Sequence, residues 1–99
     1  MQENNGNILI YQTEKGDTKI DAYFNDETIW MTQKSIAELY QTSTQNITLH
    51  IKNIYSDGEL DESSTCKNYL QVQNEGIRNV KRTVKIYNLQ LILAVGYRV

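Results

Sequence analysis

The chain of 99 residues has no proline, one cysteine, one histidine, one tryptophan and one phenylalanine. With Cys66 alone, an internal disulfide is excluded, and the composition points to a reducing compartment. A single cysteine beside a single histidine also leaves no thiolate–imidazole set of structural zinc type. The amino-terminal residues are polar, and the apolar run at residues 8–11 is too short for a signal peptide or a membrane span. The expected setting is therefore the cytoplasm, with no membrane partner. Glycine-rich phosphate loops, internal repeats and low-complexity stretches are missing as well. His50 and Cys66 form the one conceivable nucleophilic pair, but no third orienting group or oxyanion signature accompanies them. The sequence is read as that of a non-enzyme with no cofactor, no metal and no small-molecule substrate.

What is present is 39% apolar and 22% charged, enough for one modest core, and residues 1–99 are read as one domain. The net charge of −2 hides an asymmetry. Residues 1–62 hold four lysines against eleven acidic residues, a balance of −7, whereas residues 63–99 hold six basic residues against Glu75, a balance of +5. Cationic charge collected in the last third permits a local surface that attracts polyanions.

Residues 8–13 and 18–24 are rich in β-formers and flank Glu14, Lys15, Gly16 and Asp17, which predicts a hairpin. In the second run Ile20, Ala22 and Phe24 alternate with polar neighbours and are expected to face a core. A turn at residues 25–27 leads to a short extended segment, residues 28–31, in which Trp30 is expected to anchor the core. Thr32 is placed to cap a helix over residues 33–40, whose stripe is Ile36, Ala37, Leu39 and Tyr40. Thr42 and Gln45 match a capping box opening a second helix, with Ile47, Ile51, Ile54 and Tyr55 on its inner face and Gly58 as its stop. An acidic loop over residues 57–62 follows. Two more extended runs, 64–73 and 77–87, surround a turn at Asn74, Glu75 and Gly76, and Asn88 can cap a closing helix through Leu89, Leu91, Ile92 and Val95.

Two short helices across a tight turn, followed by a basic hairpin, predict an α+β winged helix-turn-helix with an amino-terminal hairpin, a carboxy-terminal hairpin wing and a closing helix. With the isoleucines inward, Gln45, Asn46, Leu49, Lys52 and Asn53 fall on the outer face of the second helix. Amides there suit adenine, Lys52 suits guanine, and Leu49 suits a thymine methyl. Ser43, Thr44 and His50 are candidates for phosphate contact, as are Arg78, Lys81, Arg82 and Lys85 of the hairpin, which also carries Lys67. The expected partner is double-stranded DNA. The alternative is a protein-interaction module of the same fold that does not bind DNA.

Several motifs carry a resemblance: Trp30-Met31-Thr32-Gln33, Ile36-Ala37-Glu38-Leu39-Tyr40, and Ile51-Lys52-Asn53-Ile54-Tyr55 with Gly58-Glu59-Leu60. Tyr87-Asn88-Leu89 and Val95-Gly96-Tyr97-Arg98-Val99 continue it. In this order the chain resembles the RhuM family of bacterial virulence-associated proteins. The resemblance implies a DNA-binding domain at the amino terminus of a longer bacterial or phage-derived protein. Transcription regulation is the expected output, and homodimerisation through a region beyond Val99 is a candidate partnership. The resemblance also implies that Thr32, Gln33, Ile36, Ala37, Ile47, His50, Ile51 and Asn53 occupy the helix-turn-helix signature, most of them as architecture.

Overall fold

A computed structural model describes residues 7–12 and 19–99 of the chain. It is mixed α+β. Five antiparallel strands, β1 (Asn7–Gln12), β2 (Lys19–Asn25), β3 (Thr28–Thr32), β4 (Cys66–Glu75) and β5 (Arg78–Asn88), form one sheet in the order β1-β2-β3-β5-β4. Four helices accompany it: α1 (Gln33–Tyr40), α2 (Thr44–Ser56), the single turn α3 (Glu62–Thr65) and α4 (Leu89–Arg98).

The expected amino-terminal hairpin is present as β1 paired with β2, its register running from Asn7↔Phe24 to Gln12↔Lys19. The turn assigned to Glu14, Lys15, Gly16 and Asp17 lies outside the described residues. The next turn is tighter than its composition suggests. Asp26 and Glu27 both adopt positive φ, 53° and 60°, between the paired Asn25 and Thr28. A two-residue hairpin turn with two left-handed residues matches the right-handed twist of the strands, but it strains a glutamate that has a Cβ to accommodate.

Neighbouring residues of a strand point to opposite faces, and each face of this sheet has its own core. Ile20, Met31 and Tyr87 meet the inner faces of the helices, where Ile36, Ile47, Ile51, Ile54, Leu91 and Val95 are buried. Each such aliphatic side chain contributes roughly 1.5–3 kcal/mol through burial. Tyr23, Trp30 and Ile86 make a smaller cluster on the opposite face, flanked by Tyr69 and Val84. Trp30 is therefore buried as expected but away from the helices. Its Nε1 donates to the Asn25 carbonyl at 2.9 Å, and the Lys67 ammonium roofs the indole 4.2 Å from the ring centroid. Phe24 is 45% exposed, because the alternation that buries Ile20 ends where β2 turns. Tyr23, read as a polar-side residue, is the buried one.

Three caps follow local chemistry. The Thr32 hydroxyl accepts from the Ser35 N–H at 3.1 Å, and the Asn88 Oδ1 accepts from the Leu91 N–H at 3.2 Å. The cap of α2 is Ser43, whose Oγ accepts from the Asn46 N–H at 3.1 Å, one residue beyond the expected Thr42–Gln45 box. Thr42 instead accepts a hydrogen bond from the Asn46 side-chain amide at 2.9 Å. The acidic loop is shorter than expected, ending in α3. The last hairpin turns at Gly76 and Ile77, with Gly76 at φ +69°, so Gly76 is in the turn as expected while Asn74 and Glu75 still belong to β4. Gly96 lets α4 approach α1: a Cβ there would lie 2.6 Å from the Tyr40 hydroxyl, which donates to the Ile92 carbonyl.

Candidate nucleic-acid interface

The reversal between α1 and α2 takes three residues. Gln41 adopts the left-handed conformation, φ 56° and ψ 50°, and the Thr42 N–H returns to the Ala37 carbonyl at 2.9 Å. This closes α1 with the bonding of a glycine cap although no glycine is present. The chain then enters α2 directly through Ser43. Burial of Ile47, Ile51 and Ile54 fixes the rotation of α2, leaving Gln45, Leu49 and Lys52 exposed in a row along one face. Leu49 retains 54% of its accessible surface.

The other candidates on α2 are placed differently. Asn46 is half-buried and committed to Thr42, so its amide serves the helix start. His50 and Asn53 are half-buried at the flanks of the outer face. Ser43 and Thr44 are exposed at the first turn, with the Ser43 Oγ used as the cap and the Thr44 carbonyl accepting from the Thr48 hydroxyl.

A bridge absent from the sequence reading orients α2 against the sheet. The Gln33 side chain donates through Nε2 to the Tyr87 hydroxyl at 3.0 Å and accepts through Oε1 from the Thr48 hydroxyl at 2.7 Å. One amide thus ties the start of α1, the middle of α2 and the base of β5. Its only trace in the sequence is a polar residue just after a helix cap, a position many side chains fill without contacts. Beside it an open groove of about 440 Å³ runs between α2 and β5, bordered by Lys52, Tyr55, Glu62 and Lys85. Burial pushes the Tyr55 phenol up to about 12, and its hydroxyl shares a 2.9 Å hydrogen bond with the fully buried Thr65. Burial raises Tyr87 too, and it raises the Cys66 thiol, keeping that sulfur protonated and a poor nucleophile near neutrality.

The basic residues of the hairpin divide into two sets. Lys67 pairs with Asp26 at 3.0 Å, Arg82 with Glu75 at 3.1 Å, and Lys85 with Glu62 at 3.8 Å. Exposed pairs of this kind contribute at most about 1 kcal/mol, so a phosphate can compete for the same cations. Arg78 and Lys81, towards the tip, are exposed and have no ion-pair partner among the described residues. Below α2, Arg98 lies 3.3 Å from Asp57 and 2.8 Å from Glu59, which compensates the acidic loop nearest the helix end. Two of the acidic residues of the first two thirds are thereby paired just beyond the carboxy-terminal end of α2.

Among the described residues no group of three or more metal-ligating side chains occurs, and no helix is long and apolar enough to cross a membrane. No curated protein and no solved structure matches the chain. Residues 64–99, comprising the end of α3, the β4–β5 hairpin and α4, match the Virulence protein RhuM family.

Proposed function

We propose that the chain binds double-stranded DNA as a winged helix-turn-helix, with α2 in the major groove and the β4–β5 hairpin against the flanking backbone. The observation that carries this reading is the pairing of two unpartnered surfaces. One is the row Gln45, Leu49 and Lys52 on α2, and the other is the hairpin, whose Arg78 and Lys81 have no ion-pair partner among the described residues. The groove shared by α2 and the base of β5, bordered by Lys52 and Lys85, supports the reading further, because it brings basic residues of the two elements to one side. Gln45 and Lys52 would read base edges, Leu49 would meet a thymine methyl, and Ser43 and Thr44 would hold phosphate near the helix start. Such a domain would act in the cytoplasm, on transcription in a bacterial or phage-derived setting.

Titration of a labelled mixed-sequence duplex at rising salt tests the proposal. Log affinity should fall linearly with log salt, and each of Arg78→Ala and Lys81→Ala should reduce that slope by about one. No binding at low salt would overturn it. A second reading, docking of a protein partner, draws on the outer face of α4, where Leu93 and Tyr97 stand 53% and 91% exposed. It becomes the better reading if the duplex fails to bind.

A further inference from the structure

Strand β4 lies at the edge of the sheet, and among the described residues no strand covers its outer side. Edge strands are ordinarily protected by proline, bulges, brevity or charges along their length. β4 has ten residues in unbroken register from Cys66 to Glu75 and no proline, and its only charged residues are Lys67 and Glu75, one near each end. Between them Leu70 and Val72 are 55% and 59% exposed. We propose that this edge pairs antiparallel with β4 of a second copy of the chain, about a two-fold axis at Gln71.

The backbone parity allows this register. Glu75 and Arg78 bracket the two-residue turn of the hairpin, so they exchange backbone hydrogen bonds, and the odd-numbered residues of β4 are turned to β5. The even-numbered residues present their N–H and C=O groups to the open edge. Centring the two strands on Gln71 sets Leu70 against the second copy's Val72, and Asn68 against the second copy's Asn74. These are even-numbered pairs able to bond through the backbone. The same register sets Lys67 against the second copy's Glu75, twice by symmetry. A strand that pairs with itself must carry opposite charges equidistant from its centre, and β4 does. The contacts that now hold these two side chains, Lys67 with Asp26 and the Trp30 ring, and Glu75 with Arg82, lie on the inner side of β4, and the pairing exchanges the two surface ion pairs for the second copy's charges. A one-residue shift would put inward-facing groups at the edge, and a two-residue shift would separate the charges and reduce the two apolar pairs to one. The contact joins two copies of the same strand and does not rest on DNA binding.

Sedimentation velocity of the whole chain over a concentration series tests it. The wild type should dimerise reversibly. Lys67→Glu and Glu75→Lys should each weaken the dimer at least about tenfold, because each sets like charges opposite one another at two places. An equimolar mixture of these two variants should recover wild-type association, since in the mixed dimer both pairs are again opposite in charge. Joining both substitutions in one chain should do the same. Val72→Lys, at an exposed site, should abolish association while leaving the thermal melt intact, and it serves if either charge variant folds poorly. A wild type that stays monomeric up to about 1 mM overturns the proposal. So do single variants that associate like the wild type, and a mixture that fails to recover.

Discussion

From Asn68 to Lys85 no described side chain is buried, whereas α1, α2 and α4 each bury at least two apolar residues around Ile20, Met31 and Tyr87. The helical half is held by side-chain packing. The hairpin is held by its ladder, and among the described residues its contacts with the rest of the molecule lie towards its base: Tyr69 packs at a tilt against Tyr23 with centroids 4.6 Å apart, Gln71 donates to the Tyr23 hydroxyl, and Lys85 pairs with Glu62. Residues in the first region are constrained by volume. Those in the second are constrained mainly by strand geometry, which leaves their outward chemistry free for contacts with other molecules.

Substitutions should separate the two regions sharply. Leu91→Ala, which empties a fully buried site, is expected to lower unfolding free energy by about 2–5 kcal/mol. Ile77→Asn at the hairpin tip should change it by no more than about 0.5 kcal/mol. Urea denaturation of both variants measures the contrast, and a large loss at Ile77 would show that the hairpin is packed after all.

The next effect depends on pH. The Tyr55 phenol, raised from 10.0 to about 12 by burial, binds its proton more tightly when folded than when unfolded. Its contribution is therefore complete below pH 10 and lost as the pH climbs from 10 to 12. Melting temperatures over that window should fall, and Tyr55→Phe should make the fall shallower without abolishing it, because burial also raises Tyr40, Tyr69 and Tyr87. An unchanged slope in the variant would contradict the assignment.

A smaller gain is expected at the turn between β2 and β3. Glu27→Gly relieves a left-handed glutamate and should stabilise the fold by about 0.5–1 kcal/mol, read as a higher denaturation midpoint. The turn stands at the junction of the two regions, since its Asp26 holds Lys67 of β4.

Local rules of helix and turn chemistry carried much of the fold into view. Thr32 and Asn88 are caps because their side chains reach back to an N–H three residues on, and that geometry depends on almost nothing else. The inner face of α2 was legible for a similar reason, with four apolar residues spaced at helical period. The second face of the sheet was not. Tyr23 looks like the polar partner in an alternating strand until Trp30 and Ile86 arrive from other strands to bury it. For α2, the sequence marked Gln45, Leu49 and Lys52 as outward, and they are exposed. It did not reveal that Asn46 is held by Thr42, nor that Gln33 braces Thr48 against Tyr87, since choosing among equivalent polar neighbours requires coordinates.

The hairpin extends about 23 Å from the pair Asn68↔Lys85 to its turn, at the rise per residue of a strand. Its contact with the rest of the sheet's second face is made near its base, at Tyr69. By that same span, a rotation of only about five degrees at the base sweeps the tip through roughly 2 Å, enough to make or break a hydrogen bond. If the hairpin moves as a rigid rod, a load on Arg78 would act on the Tyr23–Tyr69 contact, and the fluorescence of Trp30, in the same cluster, should then change when the tip is bound.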